Sequence, residues 1–345
     1  MSPAPAKKFK NPRALYNFQG RSCSITGVGS YMPAKILSNA DLEKMVDTTD
    51  EWIFTRTGIR ERRIVSEGQA TSDLGAEACR RALADAKVQA DEISLLIVAT
   101  ITPDYFFPST ACMIQQKIGA KVTGGFDLSA ACAGFVYGLI VGARLIEADP
   151  TQTVLVVGAE TLTRITDYTD RSSCILFGDG AGAAVLRATS DGRGVLASDC
   201  GVDGSGGDFM KVPAGGSAAP TTEETVRQRL HYMQINGRET FRFAVVKMAE
   251  LVENVLKRSD LTMDDVALIV PHQVNSRILQ AAAERLGIGM DKIYMNIDRY
   301  GNTSAASVPI ALDEAAKKGR IKRGDIVVLV AFGGGLSWSA AVVRW

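Results

Sequence analysis

One succession of strand-like blocks occurs twice in this 345-residue sequence, and it constrains the fold more than any other feature. The run "DEISLLIVAT", ending at Thr100, is echoed by "MDDVALIVPH", ending at His272. After the first come "TVLVVGAE" (Thr153 to Glu160) and "FGDGAGAAVL" (Phe177 to Leu186). After the second come "DIVVLVAFGGG" (Asp325 to Gly335) and "LSWSAAVV". Short continuous apolar runs such as Leu95 to Thr100 and Val154 to Gly158 suit strands covered on both faces. Helical periodicity over Ser72 to Ala86, with Asp73 in its first turn, supplies an intervening helix. Strands alternating with helices imply crossover units and a mainly parallel sheet. The sequence therefore predicts an α/β protein of two similar halves, 21–190 and 191–345, with a first strand from Ser22 to Gly27 behind a flexible leader over 1–20.

Composition narrows the function. With 46% hydrophobic and 22% charged residues, the chain can bury two ordinary cores. The balance of 39 basic against 38 acidic residues leaves +1, which gives no broad footprint for nucleic acid or anionic membrane. Met1 to Lys10 has no apolar stretch of the kind a secretory signal carries, so a cytoplasmic protein is expected. The apolar run Ala130 to Ala143 is shorter than a spanning helix, so no membrane span is expected. Six cysteines without CxxC spacing and only two histidines, His231 and His272, argue against disulfide staples and a metal centre. Gly201 to Thr222 is rich in Gly, Pro, Ser and Ala and reads as a long surface loop, either a lid or an inert insertion.

Four segments can carry chemistry. Cys132, in "DLSAACAGFVYGLIVGA", follows a candidate helix cap at Ser129, and the positive end of a helix favours a thiolate nucleophile. The other five cysteines (Cys23, Cys79, Cys112, Cys174, Cys200) read as small core hydrophobes. Gly134, Gly138 and Gly142 leave one helix face bare, which lets another helix approach. His272 ends a strand behind Pro271, where open α/β sheets bind ligands. Asn302 sits in a Gly-Asn turn leading into a small-residue helix, presenting a fixed amide donor. "AFGGGLSW" (Ala331 to Trp338) puts three glycines after a buried strand, where backbone amides can approach a ligand. It lacks the Lys-Ser/Thr ending of a phosphate loop.

Together "DLSAACAGF", "PHQVN", "GNTSAAS" and "FGGGLSW" resemble, in order and spacing, the β-ketoacyl-acyl-carrier-protein synthase III enzymes of the thiolase superfamily. "DEWIFTRTGIRERRI", "FPSTACMIQ" and "FGDGAGAAVL" extend the likeness over about residues 21–345. The resemblance implies a thiolase-like fold, two duplicated halves in an α-β-α-β-α stack. It implies an acyltransferase that condenses an acyl-CoA primer with malonyl-acyl carrier protein, releasing CoA and carbon dioxide, and needs no cofactor. By motif, Cys132 is the acyl-accepting nucleophile, with His272 and Asn302 completing the site, and the amides of Cys132 and Gly334 forming the oxyanion hole. Trp52 and Arg171 match positions that sandwich the CoA adenine, and Arg56 one near its phosphates. Phe107 matches a residue that reaches across a homodimer to floor the acyl pocket. Arg242, Arg277, Arg285 and Gln273 fall at carrier-docking positions, and Glu284 stands where a basic residue is common.

Related chemistries fit less well. Elongating synthases use Cys-His-His, and His231 in "RLHYMQING" is badly placed for the third role. Thiolases need a second cysteine beside the glycine triplet, where Phe332 precedes Gly333 and no cysteine follows Cys200. A papain-like hydrolase would use Cys, His and Asn, but its signature around the cysteine is absent. Plant-type polyketide synthases share the same three residues, and a starter-unit acyltransferase of a polyketide or secondary-metabolite pathway is the alternative reading.

Overall fold

A computed structural model describes residues 22–345. The leader expected over 1–20 lies outside them. Each half supplies one twisted sheet. The first holds β1 (Ser22–Tyr31), β2 (Leu95–Ala99), β3 (Gly124–Leu128), β4 (Thr153–Thr161) and β5 (Asp179–Thr189), in the order β1-β5-β4-β2-β3. The second holds β6 (Gly194–Val202), β7 (Val266–Pro271), β8 (Ile326–Gly333) and β9 (Ser337–Arg344), in the order β7-β8-β9-β6. The repeat in the sequence is a repeat in topology. β2 runs parallel to β4, which pairs antiparallel with β5 and then β1; β7 runs parallel to β8, which pairs antiparallel with β9 and then β6.

Six longer helices complete the stack: α1 (Thr71–Ala86), α2 (Thr110–Ile118), α3 (Gly134–Ala148), α4 (Gly237–Arg258), α5 (Ser276–Leu286) and α6 (Ser307–Lys317). Leu74, Cys79 and Leu83 of α1 and Ile114 of α2 pack on the outer face of the first sheet. Met248, Val252 and Val255 of α4 and Ile278 and Leu279 of α5 cover the outer face of the second. Between the sheets lie α3 and α6, whose Phe135, Leu139, Val308 and Leu312 share one core with Ile97, Val156, Leu268 and Leu329. The layers are thus α-β-α-β-α, a thiolase fold.

The central helix departs from expectation twice. Counted through Ala148, the helical stretch Ala131–Ala148 is long and apolar enough to cross a membrane, yet 61% of it is buried inside the protein. An element covered by a sheet on each side has no polar face to present to water. Gly138 and Gly142 face strands, not a helix. A Cβ at Gly138 would meet Val156 at 2.8 Å, and one at Gly142 would meet Leu186 at 2.9 Å. Two cysteines also leave the core: Cys112 and Cys200 are exposed, because α2 lies on the surface and β6 is an edge strand.

Gly201 to Thr222 is not one open loop. It forms a 3-10 turn (Gly204–Phe209) and a two-residue strand, Met210–Lys211, paired with Gln234–Ile235. This pairing brings Phe209 and Met210 onto the end of the second sheet, where the strands deliver the groups described next.

Candidate active site

Cys132 does not sit where a side-chain cap would put it. It occupies a 3-10 turn, Ala131–Ala133, in the corner between β3 and α3, and Ser129 is exposed and makes no cap bond. Two hydroxyls of β9 clamp that corner. Ser337 Oγ donates to Ala130 O at 2.8 Å and Ser339 Oγ donates to Ala133 O at 3.0 Å. Ala131, just before Cys132, has φ +47, a left-handed conformation that costs an L-residue roughly 1 kcal/mol, between the two clamped carbonyls. The glycine triplet closes the other side. A Cβ on Gly333 would lie 2.6 Å from Cys132 N, so only glycine lets β8 end against the Cys132 amide.

His272 follows β7, and its backbone N–H donates to Val330 O of β8 at 2.8 Å. Its ring lies edge-on to Phe332, centroids 5.7 Å apart, and its Nδ1 is 2.7 Å from Ser307 Oγ at the start of α6. Asn302 enters from the turn before α6. Its backbone N–H donates to Leu176 O at 2.8 Å, its carbonyl accepts from Gly178, and its Oδ1 accepts from Ser304 N at 2.8 Å. With Oδ1 taken by the backbone, Nδ2 is the end left for the cavity. Cys132, His272, Asn302, Gly333 and Gly334 line one narrow cavity of about 20 Å³, with Phe209, Met210 and Leu336 over it. Met210, Gly334 and Leu336 also border a mainly apolar cavity of about 570 Å³ that reaches Leu128, Tyr137 and Met233.

Burial dominates the electrostatics. It pushes the Cys132 thiol up to about 12, against a smaller favourable contribution from Ser304, and the nearby Glu160 carboxylate raises it further. Burial thus works against the thiolate that the position at a helix start was expected to favour. Burial likewise lowers His272 to about 3, so its imidazole is neutral at physiological pH. Glu160, fully buried at the end of β4, is raised to about 7 by desolvation, although it accepts from Thr102 Oγ1 at 2.6 Å and Thr100 Oγ1 at 3.2 Å. Ser304 Oγ favours both ionised forms, thiolate and carboxylate, yet makes no full hydrogen bond of its own. Sequence reasoning passed over Glu160, Ser304 and Ser307. A lone carboxyl in "VLVVGAE" was the available signal, because acids are rarely buried without a role.

The remaining expected residues divide. Trp52 lies on the helix Asp50–Thr57, capped by Thr49. Arg56 and Arg171 both stack on its ring, at 4.5 and 4.9 Å from the centroid. Both guanidinium groups thus lie within cation–π reach of one ring. Asn275 Nδ2 donates to Arg56 O at 2.9 Å, tying this helix to the cap of α5. Arg277, Glu284 and Arg285 are exposed along α5, and Arg242 is exposed on α4 beside it. Phe107 is 86% exposed in the loop between β2 and α2 and lies outside its own chain's active-site cavity. Gln273, expected at the carrier surface, is instead 1% exposed and cannot touch a carrier. Its Nε2 donates to Pro271 O and Tyr294 O, and its Oε1 accepts from Asn296 N, so it is internal mortar for β7. Among the described residues no group of three or more His, Cys, Asp or Glu could hold a metal ion.

This chain is similar to known proteins over nearly all of its length. Residues 126–204 match the family model for 3-oxoacyl-[acyl-carrier-protein] synthase III, and residues 256–345 match its C-terminal counterpart. A β-ketoacyl-[acyl-carrier-protein] synthase III of Caldanaerobacter subterraneus subsp. tengcongensis is 53% identical, over 94% of this chain and 98% of that one. The crystal structure of 3-oxoacyl-[acyl-carrier-protein] synthase III from Aquifex aeolicus superposes with a TM-score of 0.87 at 43% identity, covering 94% of this chain and 100% of that one. A priming β-ketosynthase from the R1128 polyketide pathway superposes with a TM-score of 0.87 at 36% identity, covering 94% and 96%.

Proposed function

Because the chain belongs to the β-ketoacyl-[acyl-carrier-protein] synthase III family, we propose a ping-pong condensation for it in which Cys132, His272 and Asn302 divide the work. The protein is an acyltransferase of the condensing type, and its reaction initiates fatty-acid synthesis by joining an acyl-CoA primer to malonyl-acyl carrier protein. The observation that carries the assignment of roles is one cavity lined by a buried thiol, a neutral imidazole and an outward amide.

In the first half-reaction the Cys132 sulfur bonds to the primer's carbonyl carbon, the carbon–sulfur bond to CoA breaks, and the thiol proton ends on the CoA sulfur. The tetrahedral oxyanion takes hydrogen bonds from the amides of Cys132 and Gly334. In the second, malonyl-carrier places its thioester carbonyl against His272 and Asn302. The electrons of the breaking bond to carbon dioxide move into an enolate, which these two donors stabilise, and its carbon attacks the acyl-cysteine. The acyl–sulfur bond breaks as the new carbon–carbon bond forms, the product is a β-ketoacyl carrier two carbons longer, and the expelled Cys132 thiolate takes up one proton from water to return as a thiol; the reaction draws on no cofactor.

Trp52, Arg56 and Arg171 are the proposed CoA contacts, and Arg242, Arg277 and Arg285 the contacts for an acidic carrier, with Glu284 interrupting that stripe. The homodimer is proposed on a different ground. β3 is an open sheet edge, and beside it Phe106 is 87% exposed, Phe107 86% and Val122 fully exposed. A bare edge next to large apolar side chains calls for a second copy, and Phe107 would then enter the partner's acyl pocket. The 570 Å³ cavity bordered by Met210 and Met233 leaves room for a primer longer than acetyl. Six unpaired cysteines suit the reducing cytoplasm, the proposed location. The polyketide starter role stays as a second reading because of the likeness to the R1128 priming enzyme.

The test is intact-mass spectrometry of wild type and Cys132→Ser after incubation with a panel of acyl-CoAs, followed by malonyl-acyl carrier protein. A mass gain on Cys132, discharged as a β-ketoacyl carrier, is the expected result and names the primer. Acylation that malonyl-carrier fails to discharge would favour the starter acyltransferase, and absence of acylation would refute the role of Cys132.

A further inference from the structure

Neutral imidazole has two tautomers, and only one can donate from Nε2 into the cavity. The donor role of His272 in the reading above therefore needs a device that keeps the proton on Nε2 while the ring stays uncharged. We propose that Ser307 is that device: a positioning residue whose hydroxyl donates to His272 Nδ1 and so fixes the Nε2–H tautomer.

Ser307 Oγ has two partners, His272 Nδ1 at 2.7 Å and the backbone N–H of Gln273 at 3.3 Å. A backbone N–H can only donate, so Ser307 Oγ accepts there. Among the described residues it has no other acceptor for its own proton than Nδ1. Nδ1 must then present its lone pair, and the ring proton resides on Nε2. Ser307 is 2% exposed and Gln273 1%, so no water competes for either bond. Gln273 is itself locked by Pro271, Tyr294 and Asn296, which holds its N–H in place beside Ser307. The neighbouring donor is prepared in the same way, since Ser304 N–H occupies Asn302 Oδ1 and leaves Nδ2 free. One segment, "NTSAAS" (Asn302 to Ser307), thereby orients both donors that face the malonyl thioester. No proton is transferred in this step. The bond to carbon dioxide breaks, its electrons enter the enolate, and the oxygen's new charge is met by two N–H groups already in place.

The protein's two histidines make the test direct. Protein labelled with ¹⁵N only in histidine gives two ring systems in a long-range ¹H–¹⁵N correlation spectrum, and His231→Gln assigns them. In the wild type near neutral pH, Nδ1 of His272 is expected at the shift of an unprotonated ring nitrogen and Nε2 at that of an N–H. In Ser307→Ala the tautomers mix, and the rate of malonyl-carrier decarboxylation falls roughly tenfold, less than the hundredfold or more typical of losing a donor outright. Ser307→Thr, which keeps the hydroxyl, restores both. Acylation of Cys132 by acyl-CoA, which draws nothing from His272, reports that each variant is folded. A wild-type ring with its proton on Nδ1, or a tautomer unmoved by Ser307→Ala, overturns the proposal. A tautomer that moves while decarboxylation does not would leave the lock standing and refute His272 as the enolate donor.

Discussion

Glu160→Gln is the perturbation whose effect can be worked out furthest. The carboxyl is fully buried, and desolvation raises it from its ordinary value of 4.5 to about 7, a displacement worth about 3 kcal/mol. Below both values folded and unfolded chains bind the same proton, and the residue costs nothing. As pH rises through the unfolded value, the unfolded chain releases the proton while the native protein keeps it, so stability falls until pH passes about 7 and then levels off. Between about pH 5.5 and about pH 8 the wild type should lose about 2 kcal/mol through this one group, and Glu160→Gln none. With its amide oxygen in the place of Oε2, the glutamine can still accept from Thr102 Oγ1, Thr100 Oγ1 and Ile101 N. Any lost hydrogen bond, about 1 kcal/mol, offsets the variant equally at both pH values. The assay is denaturant unfolding at the two pH values and one protein concentration, read as the difference between wild-type and variant pH effects so that other titrating groups cancel. Parallel pH dependences would refute the burial argument, and a wild type gaining stability relative to the variant as pH rises would reverse its sign. Removing the like charge should also speed alkylation of Cys132 above about pH 7.

Three further outcomes follow from the same geometry. In the empty enzyme, iodoacetamide should modify Cys132 with a rate rising about tenfold per pH unit to beyond about pH 9, because the thiol lies near 12; a plateau near neutrality, followed by mass spectrometry of the Cys132 peptide, would contradict a desolvated thiol. Gly333→Ala brings a methyl to 2.6 Å from Cys132 N and 3.2 Å from its Cβ, so acylation should fall by roughly 100-fold or more, the cost of a displaced oxyanion donor, while far-UV circular dichroism is preserved. Arg62→Met should destabilise the fold by about 3 kcal/mol or more in urea titrations, since the fully buried guanidinium donates to Leu37 O, Asn39 Oδ1 and Ile175 O, which methionine leaves unmet.

The local signals in the sequence concern bonds between near neighbours, and they reached far. Periodicity placed α1 within one residue of Thr71–Ala86, and apolar runs placed β2 and the middle of β4, because a helix or a buried strand is specified by the faces its own residues present. The repeated order of blocks foretold two sheets of like topology, but the mainly parallel sheet expected from alternating strands and helices is corrected to mixed sheets, because β5 and β1 in the first and β9 and β6 in the second add antiparallel ladders. The placement of Cys132, His272 and Asn302 at turns and a strand end was also readable, and the structure brings all three to one cavity. Environment was not readable. Ser129 looked like a cap, but β9 hydroxyls, more than 200 residues away in sequence, clamp the corner instead. Gln273 looked like a surface contact until three backbone groups buried it. The thiol expected to be lowered by a helix is raised by burial, and the proton on His272 is placed by a serine 35 positions along the chain. Residue type and spacing determine which groups are available; desolvation and long-range hydrogen bonds, which exist only once the layers close over α3, decide what state each group is in.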